Sequence, residues 1–338
     1  LMKSKTKNRL TESEIHALVK LHFGCEPEEI RELKGGMFNA IYRMRLSSSG
    51  RDVVLKAGVI PGTPLLSYEQ DIMPVEVACY RLIQEQTSVP VPEVLAFDFS
   101  KRQIAGNYFF MTALEGVPLS DVIKKLRPDE IAHIREQQAE YLEQLHHIEG
   151  PYFGYFTEDL SRQYATWEEA FRAMFRQLLQ DAHTHNIRLP YNRIEAALRK
   201  NASLLTEPKK PCLVEFDCHE GNIFVKDTGH GYEIEGILDF ERSFWGDPFA
   251  DFPAAFVFTD DVRREKAFLA AYLKASRRTA YTAADARRGQ LYRLYLMTIM
   301  ASEVFRYGFF YGKLQGLWAK AQIRKCLKTL SQPDHSED

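Results

Sequence analysis

Asp217 and Asn222 stand five residues apart in the stretch 212–225, CLVEFDCHEGNIFV, between two apolar runs. Leu213 and Val214 lead in, and Ile223, Phe224 and Val225 lead out. The polar residues between them are therefore expected in a loop held by two buried strands, where chemistry is commonly carried. A second carboxylate follows in GILDFERSFWGDPFAD, where Ile237 and Leu238 make a short apolar strand that delivers Asp239 at its end. Two Asp and one Asn form the set that phosphoryl transfer requires. One carboxylate orients and deprotonates an attacking hydroxyl, and oxygen ligands hold Mg²⁺ against nucleotide phosphates. The base and one ligand then share a loop as D-x-x-x-x-N, with a nearby Asp as the second ligand. Asp217 is thus the candidate catalytic base, and Asn222 and Asp239 are the candidate metal ligands. The loop pattern alone is weak, because Asp and Asn in turns more often serve local backbone hydrogen bonds.

The elements upstream supply what the pattern lacks. Thr11 and Glu14 form a capping box, followed by Ile15, Leu18 and Val19 at helical spacing up to Gly24. In ELKGGMFNAIYRMRL, Tyr42, Met44 and Leu46 alternate with Arg43 and Arg45, which predicts a half-buried strand after the Gly35-Gly36 turn. Val53, Val54 and Leu55 then place a single lysine, Lys56, inside an apolar strand, where its ammonium must either snorkel or be paired. Glu76 lies twenty residues on, in a segment where Val75, Cys79, Leu82 and Ile83 make a helical stripe. Pro90 and Pro92 break that helix before further strands that end in Tyr108 to Leu114. From Pro118 onward helical patterns dominate, with long helices around 131–145 and 167–179 and three C-terminal stretches near 261–276, 284–306 and 309–330. The turn 227–231 separates two strands, the second of which leads to Asp239.

Taken together, these residues resemble the aminoglycoside phosphotransferase family, the small-molecule branch of the protein-kinase-like fold. Its signature reads roughly H-G-D-x-x-x-x-N, then I-D-(F/W), then G-D-P-x-x-D, and the likeness covers most of the chain. The resemblance implies an α+β, bilobal protein-kinase-like fold, with a small N-lobe of antiparallel sheet and helix over 1–114 and a larger, mainly helical C-lobe over 115–338. It implies a turn over the phosphates at Gly35, Gly36 and Asn39, since Gly36-Met37-Phe38-Asn39 matches the family's G-x-x-N. Lys56 is expected to pair with Glu76 and reach the α- and β-phosphates. Glu115-Gly116-Val117-Pro118 resembles the family's interlobe linker, with backbone groups of Thr112, Ala113 and Leu114 meeting the adenine edge. The implied cofactors are ATP or GTP with Mg²⁺, and the implied acceptor is a hydroxyl of a small molecule. Acceptor-site candidates are Glu241, Glu303, Tyr307 and Tyr311. One departure is that Glu215-Phe216 replaces the family's His-Gly, so Glu215 is expected to brace the catalytic loop by accepting hydrogen bonds or meeting a cation.

Composition narrows the function classes. The 44 basic residues are offset by 46 acidic ones and scattered, without the basic stripe that nucleic-acid binding requires. Five cysteines without C-x-x-C spacing argue against a disulfide framework or a structural zinc site, and point to a reducing cytoplasm. The dispersed histidines His146, His147, His183 and His185 suit helix ends or solvent. No apolar run reaches the ~18 residues of a membrane span. Gly246-Asp247-Pro248 follows Asp239 too closely to leave room for a protein kinase's activation loop. The expectation is a small-molecule kinase. Its rivals are a nucleotide-binding regulatory protein with an impaired site and a helical scaffold without nucleotide. The sequence indicates no oligomeric state.

Overall fold

The computed structural model describes residues 7–33 and 38–332, with Phe309 described in its backbone only. Helix α1 (Glu12–Phe23) opens on Thr11, whose hydroxyl accepts from Glu14 N–H while the Glu14 carboxylate accepts from Thr11 N–H, and it closes on Gly24 at φ 66°. Strands β1 (Pro27–Glu32), β2 (Ala40–Leu46), β3 (Asp52–Ala57), β4 (Val94–Asp98) and β5 (Tyr108–Thr112) form one antiparallel sheet in the order β1-β2-β3-β5-β4. Because side chains alternate along a strand, β3 sends Val53 and Leu55 toward Ile15, Leu18 and Val19 of α1. Val54 and Lys56 point to the other face. There Phe109 and Met111 of β5 pack with Val77, Tyr80 and Ile83 of α2 (Ile72–Gln86). The strand period alone thus aims Lys56 at α2 and the interlobe cleft.

The chain leaves this lobe through Leu114 and Gly116. A Cβ on Gly116 would stand 2.3 Å from the Val225 carbonyl oxygen, so glycine lets the linker lie against the second lobe. Strand β6 (Val117–Pro118) follows, then α3 (Leu119–Val122), α4 (Pro128–Leu145), β7 (Gly154–Tyr155), α5 (Trp167–Thr184), α6 (Tyr191–Lys200) and β8 (Cys212–Val214). The hairpin β9 (Ile223–Asp227) and β10 (Tyr232–Ile237) precedes β11 (Phe244–Gly246), α7 (Asp251–Ala255), α8 (Lys266–Ala275), α9 (Ala283–Ser302) and α10 (Phe309–Ser331). Two small sheets, β10-β9-β6 and β7-β11-β8, lie in this part of the chain, and the helices surround an aromatic core of Trp167, Phe171, Phe175, Tyr292 and Tyr295. The expected stretch 261–276 divides. Asp261 caps a short 3-10 turn over Val262–Arg264, and the α-helix begins only at Lys266. No helix among the described residues is long and apolar enough to cross a membrane.

Candidate active site

The β9–β10 hairpin brings the acidic centres together. Its register pairs Ile223 with Ile237, and the turn closes through Thr228 N–H donating to the Gly231 carbonyl at 2.9 Å, with Gly229 at φ 81°. One step beyond the strands, Leu238 N–H donates to the Asn222 carbonyl at 2.9 Å. Asn222 and Asp239 therefore lie side by side although seventeen residues separate them. The Asn222 amide nitrogen donates to the Asp217 carbonyl at 3.0 Å, which ties the two candidate residues together and leaves the amide oxygen as the group Asn222 could offer a cation. Burial raises the Asp217 carboxyl above its ordinary value, and Arg242 and His219, each 3.8 Å away, oppose that rise.

The loop is braced by a residue other than the one expected. Glu215 and Phe216 N–H donate to the Asp251 carboxylate at 3.2 and 2.6 Å, and His146 meets Asp251 at 2.9 Å and the Tyr272 hydroxyl at 2.7 Å. His146 is thus a buried member of the brace and has no solvent role. Glu215 is buried, as expected, yet no N–H, O–H or cation meets its carboxyl oxygens among the described residues. The weakly donating Cys218 thiol is beside them. Burial, then the neighbouring Asp251, pushes the Glu215 carboxyl well above the usual range, which favours its neutral form. The sequence read Glu215 as an acceptor or ion-pair partner, but the Asp251 carboxylate already holds the backbone there. Phe216, where the family has Gly, sits at φ 62°, a left-handed conformation costing ~1–2 kcal/mol for an L-residue. Its ring packs on Phe244 and Tyr295 at 5.2 and 5.8 Å, which holds it there.

Lys56 is the hub of the phosphate side. Its Nζ lies 2.7 Å from Glu76, 2.8 Å from Asp239 and 3.0 Å from Glu241, with only 5% of its side chain exposed. Burial would lower the ammonium, but Asp239, Glu241 and Glu76 together hold it well above its usual value. Burial would likewise raise Asp239, and Lys56 reverses this and holds it low. Glu241, buried beside Asp239, is pushed up to about 8. Asn39 donates to Glu241 at 2.8 Å, which ties the start of β2 to the second lobe. Gly35 and Gly36 lie outside the described residues. Oxygens of Glu76, Asp239 and Glu241 come within 4.8 Å of one another. The Lys56 ammonium already sits among these oxygens, so of the three only Asp239, which with Asn222 lines the cleft, has the oxygen chemistry and the access that a hard cation such as Mg²⁺ would need.

The sequence profile of the phosphotransferase enzyme family matches residues 29–289. The chain belongs to this family. No curated protein matches it. A thermostable mutant of aminoglycoside phosphotransferase APH(4)-Ia is similar over 94% of this chain and 100% of its own, at TM-score 0.66 and 19% identity. The ternary complex of that enzyme with ADP and hygromycin B aligns at TM-score 0.65 and 17% identity, covering 95% and 100% of the two chains. The streptomycin–ATP complex of APH(2'')-IIa aligns at TM-score 0.60 and 18% identity, covering 93% and 97%. The fold of this phosphotransferase is thus the bilobal, protein-kinase-like one, and the chain is a small-molecule kinase.

Elsewhere in the phosphotransferase site, the residues assigned to adenine are partly committed. Thr112 N–H donates to the Glu93 carbonyl at 3.0 Å and Ala113 N–H to the Asp52 carbonyl at 3.3 Å, while the Leu114 carbonyl accepts from Arg43 at 3.1 Å. Lys56, Asp217, Asn222 and Asp239 line one cleft of about 640 Å³, together with Glu241, Glu303, Tyr307 and Tyr311. Of these, Glu241 serves the Lys56 side, whereas Glu303, Tyr307 and Tyr311 lie on the helical wall. Sequence reasoning missed Arg242 and Arg306. Arg242 bonds Glu303 at 3.2 Å beside the base, and Arg306 bonds Glu69 at 2.5 Å and Glu303 at 3.1 Å. Arg242 follows Asp239 by three residues, a spacing that could have flagged it.

Proposed function

We propose that the chain transfers the γ-phosphoryl group of ATP to a hydroxyl of a small molecule, with Asp217 as the base and Asn222 and Asp239 as the Mg²⁺ ligands. The observation that carries this is the opening of all three residues, with Lys56, onto one cleft. Lys56, positioned by Glu76, neutralises the α- and β-phosphates, and Asn39 lies on the side of the cleft that covers them. Asp217 accepts the acceptor's proton as the new P–O bond forms and the bond from the γ-phosphorus to the β,γ-bridging oxygen breaks, releasing ADP. Arg242 opposes protonation of the Asp217 carboxylate. Asn222 and Asp239 would hold Mg²⁺, which would supply charge neutralisation to the phosphates. The hinge at 112–114 receives the base, and the lobe boundary falls at Leu114–Glu115. ATP is favoured because the similar enzymes were captured with ADP or ATP, and their hygromycin B and streptomycin ligands support a hydroxylated acceptor.

The test combines two measurements on the full chain. Mg-ATP is expected to raise the melting temperature, and γ-labelled ATP is expected to label one member of a panel of hydroxylated metabolites and antibiotics. Failure of both removes the proposal. Stabilisation without transfer to any alcohol would favour an impaired nucleotide-binding regulator instead.

A further inference from the structure

Beyond Asp217 the cleft continues along the end of α7, the segment after it, and the facing sides of α9 and α10. Four carboxylates on that side are already engaged. Glu303 accepts from Arg242 at 3.2 Å, Arg306 at 3.1 Å and Gln315 at 2.9 Å. Glu69 accepts from Arg306, Glu220 from Arg135, and Glu265 from the Thr259 hydroxyl at 2.6 Å. An acceptor with several ammonium groups would have to displace an arginine to reach Glu303, Glu69 or Glu220, which leaves Glu265, held only by a hydroxyl, as the one carboxylate of the four open to a cation. The remaining wall is apolar: Phe256, Val257, Phe258 and Met300, with the rings of Tyr307 and Tyr311. It runs outward past Thr259, Glu265 and Gln315 to exposed apolar side chains. Phe258 is 88% exposed with its ring 5.7 Å from Trp318, and Leu314, one turn after Tyr311 on α10, is 70% exposed. Large apolar side chains grouped at the mouth of a cleft mark a surface that a ligand covers.

We propose that the acceptor is an alcohol with an apolar body and at most one positive charge, its hydroxyl at Asp217 and its apolar part on Phe256, Phe258, Met300 and Tyr311. This rests on the phosphotransfer reading for the place of the hydroxyl, and on charge and surface for the rest. The probes are methyl, hexyl and octyl β-glucoside, used below micelle-forming concentrations, and hygromycin B as the polycation. Binding is read by tryptophan fluorescence, to which Trp318 contributes at the lip, in the nucleotide-free protein and with Mg-ADP. Affinity is expected to rise along the alkyl series, by up to about fourfold per methylene buried. Hygromycin B is expected to bind no more tightly than methyl glucoside, and Phe258→Asp to flatten the series. A flat series in the parent protein, or salt-sensitive tight binding of hygromycin B, would overturn the proposal. So would a dimer that hides Phe258 and Leu314 at micromolar concentration, since a second copy would then be the occupant. Mg-ATP stabilisation and hydrolysis, measured on the same preparation, test the phosphotransfer reading separately. Their loss would not alter the alkyl series.

Discussion

Lys56 Nζ lies 2.8 Å from Asp239 Oδ1, a contact made across the cleft between β3 of the first lobe and the end of the hairpin in the second. The same ammonium serves Glu76 and Glu241, so one cation faces three carboxyl groups, of which Glu76 is fully buried and Asp239 and Glu241 are partly so. Lys56→Met would leave those carboxylates facing one another without compensation. The expected outcome is a loss of about 3–5 kcal/mol in chemical denaturation at neutral pH, smaller in mild acid, where the carboxyls take up protons. Nucleotide affinity should fall as well. A variant as stable as the parent at pH 7 would show that the triad is solvated.

Asp217→Asn and Asp239→Ala separate the roles of base and ligand. Asn at 217 removes a proton acceptor and little else, so turnover should fall by ~10²–10⁴ while Mg-ATP binding persists. Ala at 239 removes a coordinating oxygen and the partner of Lys56, so Mg²⁺ should cease to strengthen nucleotide binding. Calorimetric titration with and without Mg²⁺ distinguishes the two, and identical profiles for both variants would contradict the assignment.

Glu215 should make the fold sensitive to pH in a known direction. Its carboxyl is raised in the folded state, so the folded protein keeps a proton that the unfolded chain releases above ~4.3. Stability from this residue is present below that pH and is lost as pH rises toward the folded value, by about 1.4 kcal/mol per unit at most. Glu215→Gln cannot ionise. It should gain on the parent steadily between pH 5 and pH 8 in urea denaturation. A constant gap across that range would mean that Glu215 ionises normally.

Phe216 holds a left-handed backbone through its ring. Phe216→Gly relieves ~1–2 kcal/mol of backbone strain but deletes a fully buried ring, which costs ~3–5 kcal/mol. The net expectation is a loss of about 2 kcal/mol with a raised exchange rate of amides in 215–219. An unchanged midpoint would mean that the strain had been as large as the packing.

Local pattern alone determined much of this protein. The strand period around Val53–Lys56 fixed which face carries the lysine, and the helical stripe containing Val75 and Cys79 gave α2. The capping box at Thr11 and Glu14 fixed where α1 starts, and the order of Asp217, Asn222 and Asp239 named the chemistry, because these features depend on residues close in sequence. Partnerships between distant segments were decided by tertiary structure. The brace from Asp251 and His146, Arg242 meeting Glu303, and Glu241 joining Lys56 involve groups 35 to 185 residues apart, and no spacing rule links them. Glu215 shows the difference most directly. Its place after an apolar run foretold burial, but whether a buried carboxyl meets a donor depends on what packs opposite. There the fold had already committed Asp251 to the backbone and left Glu215 only a thiol.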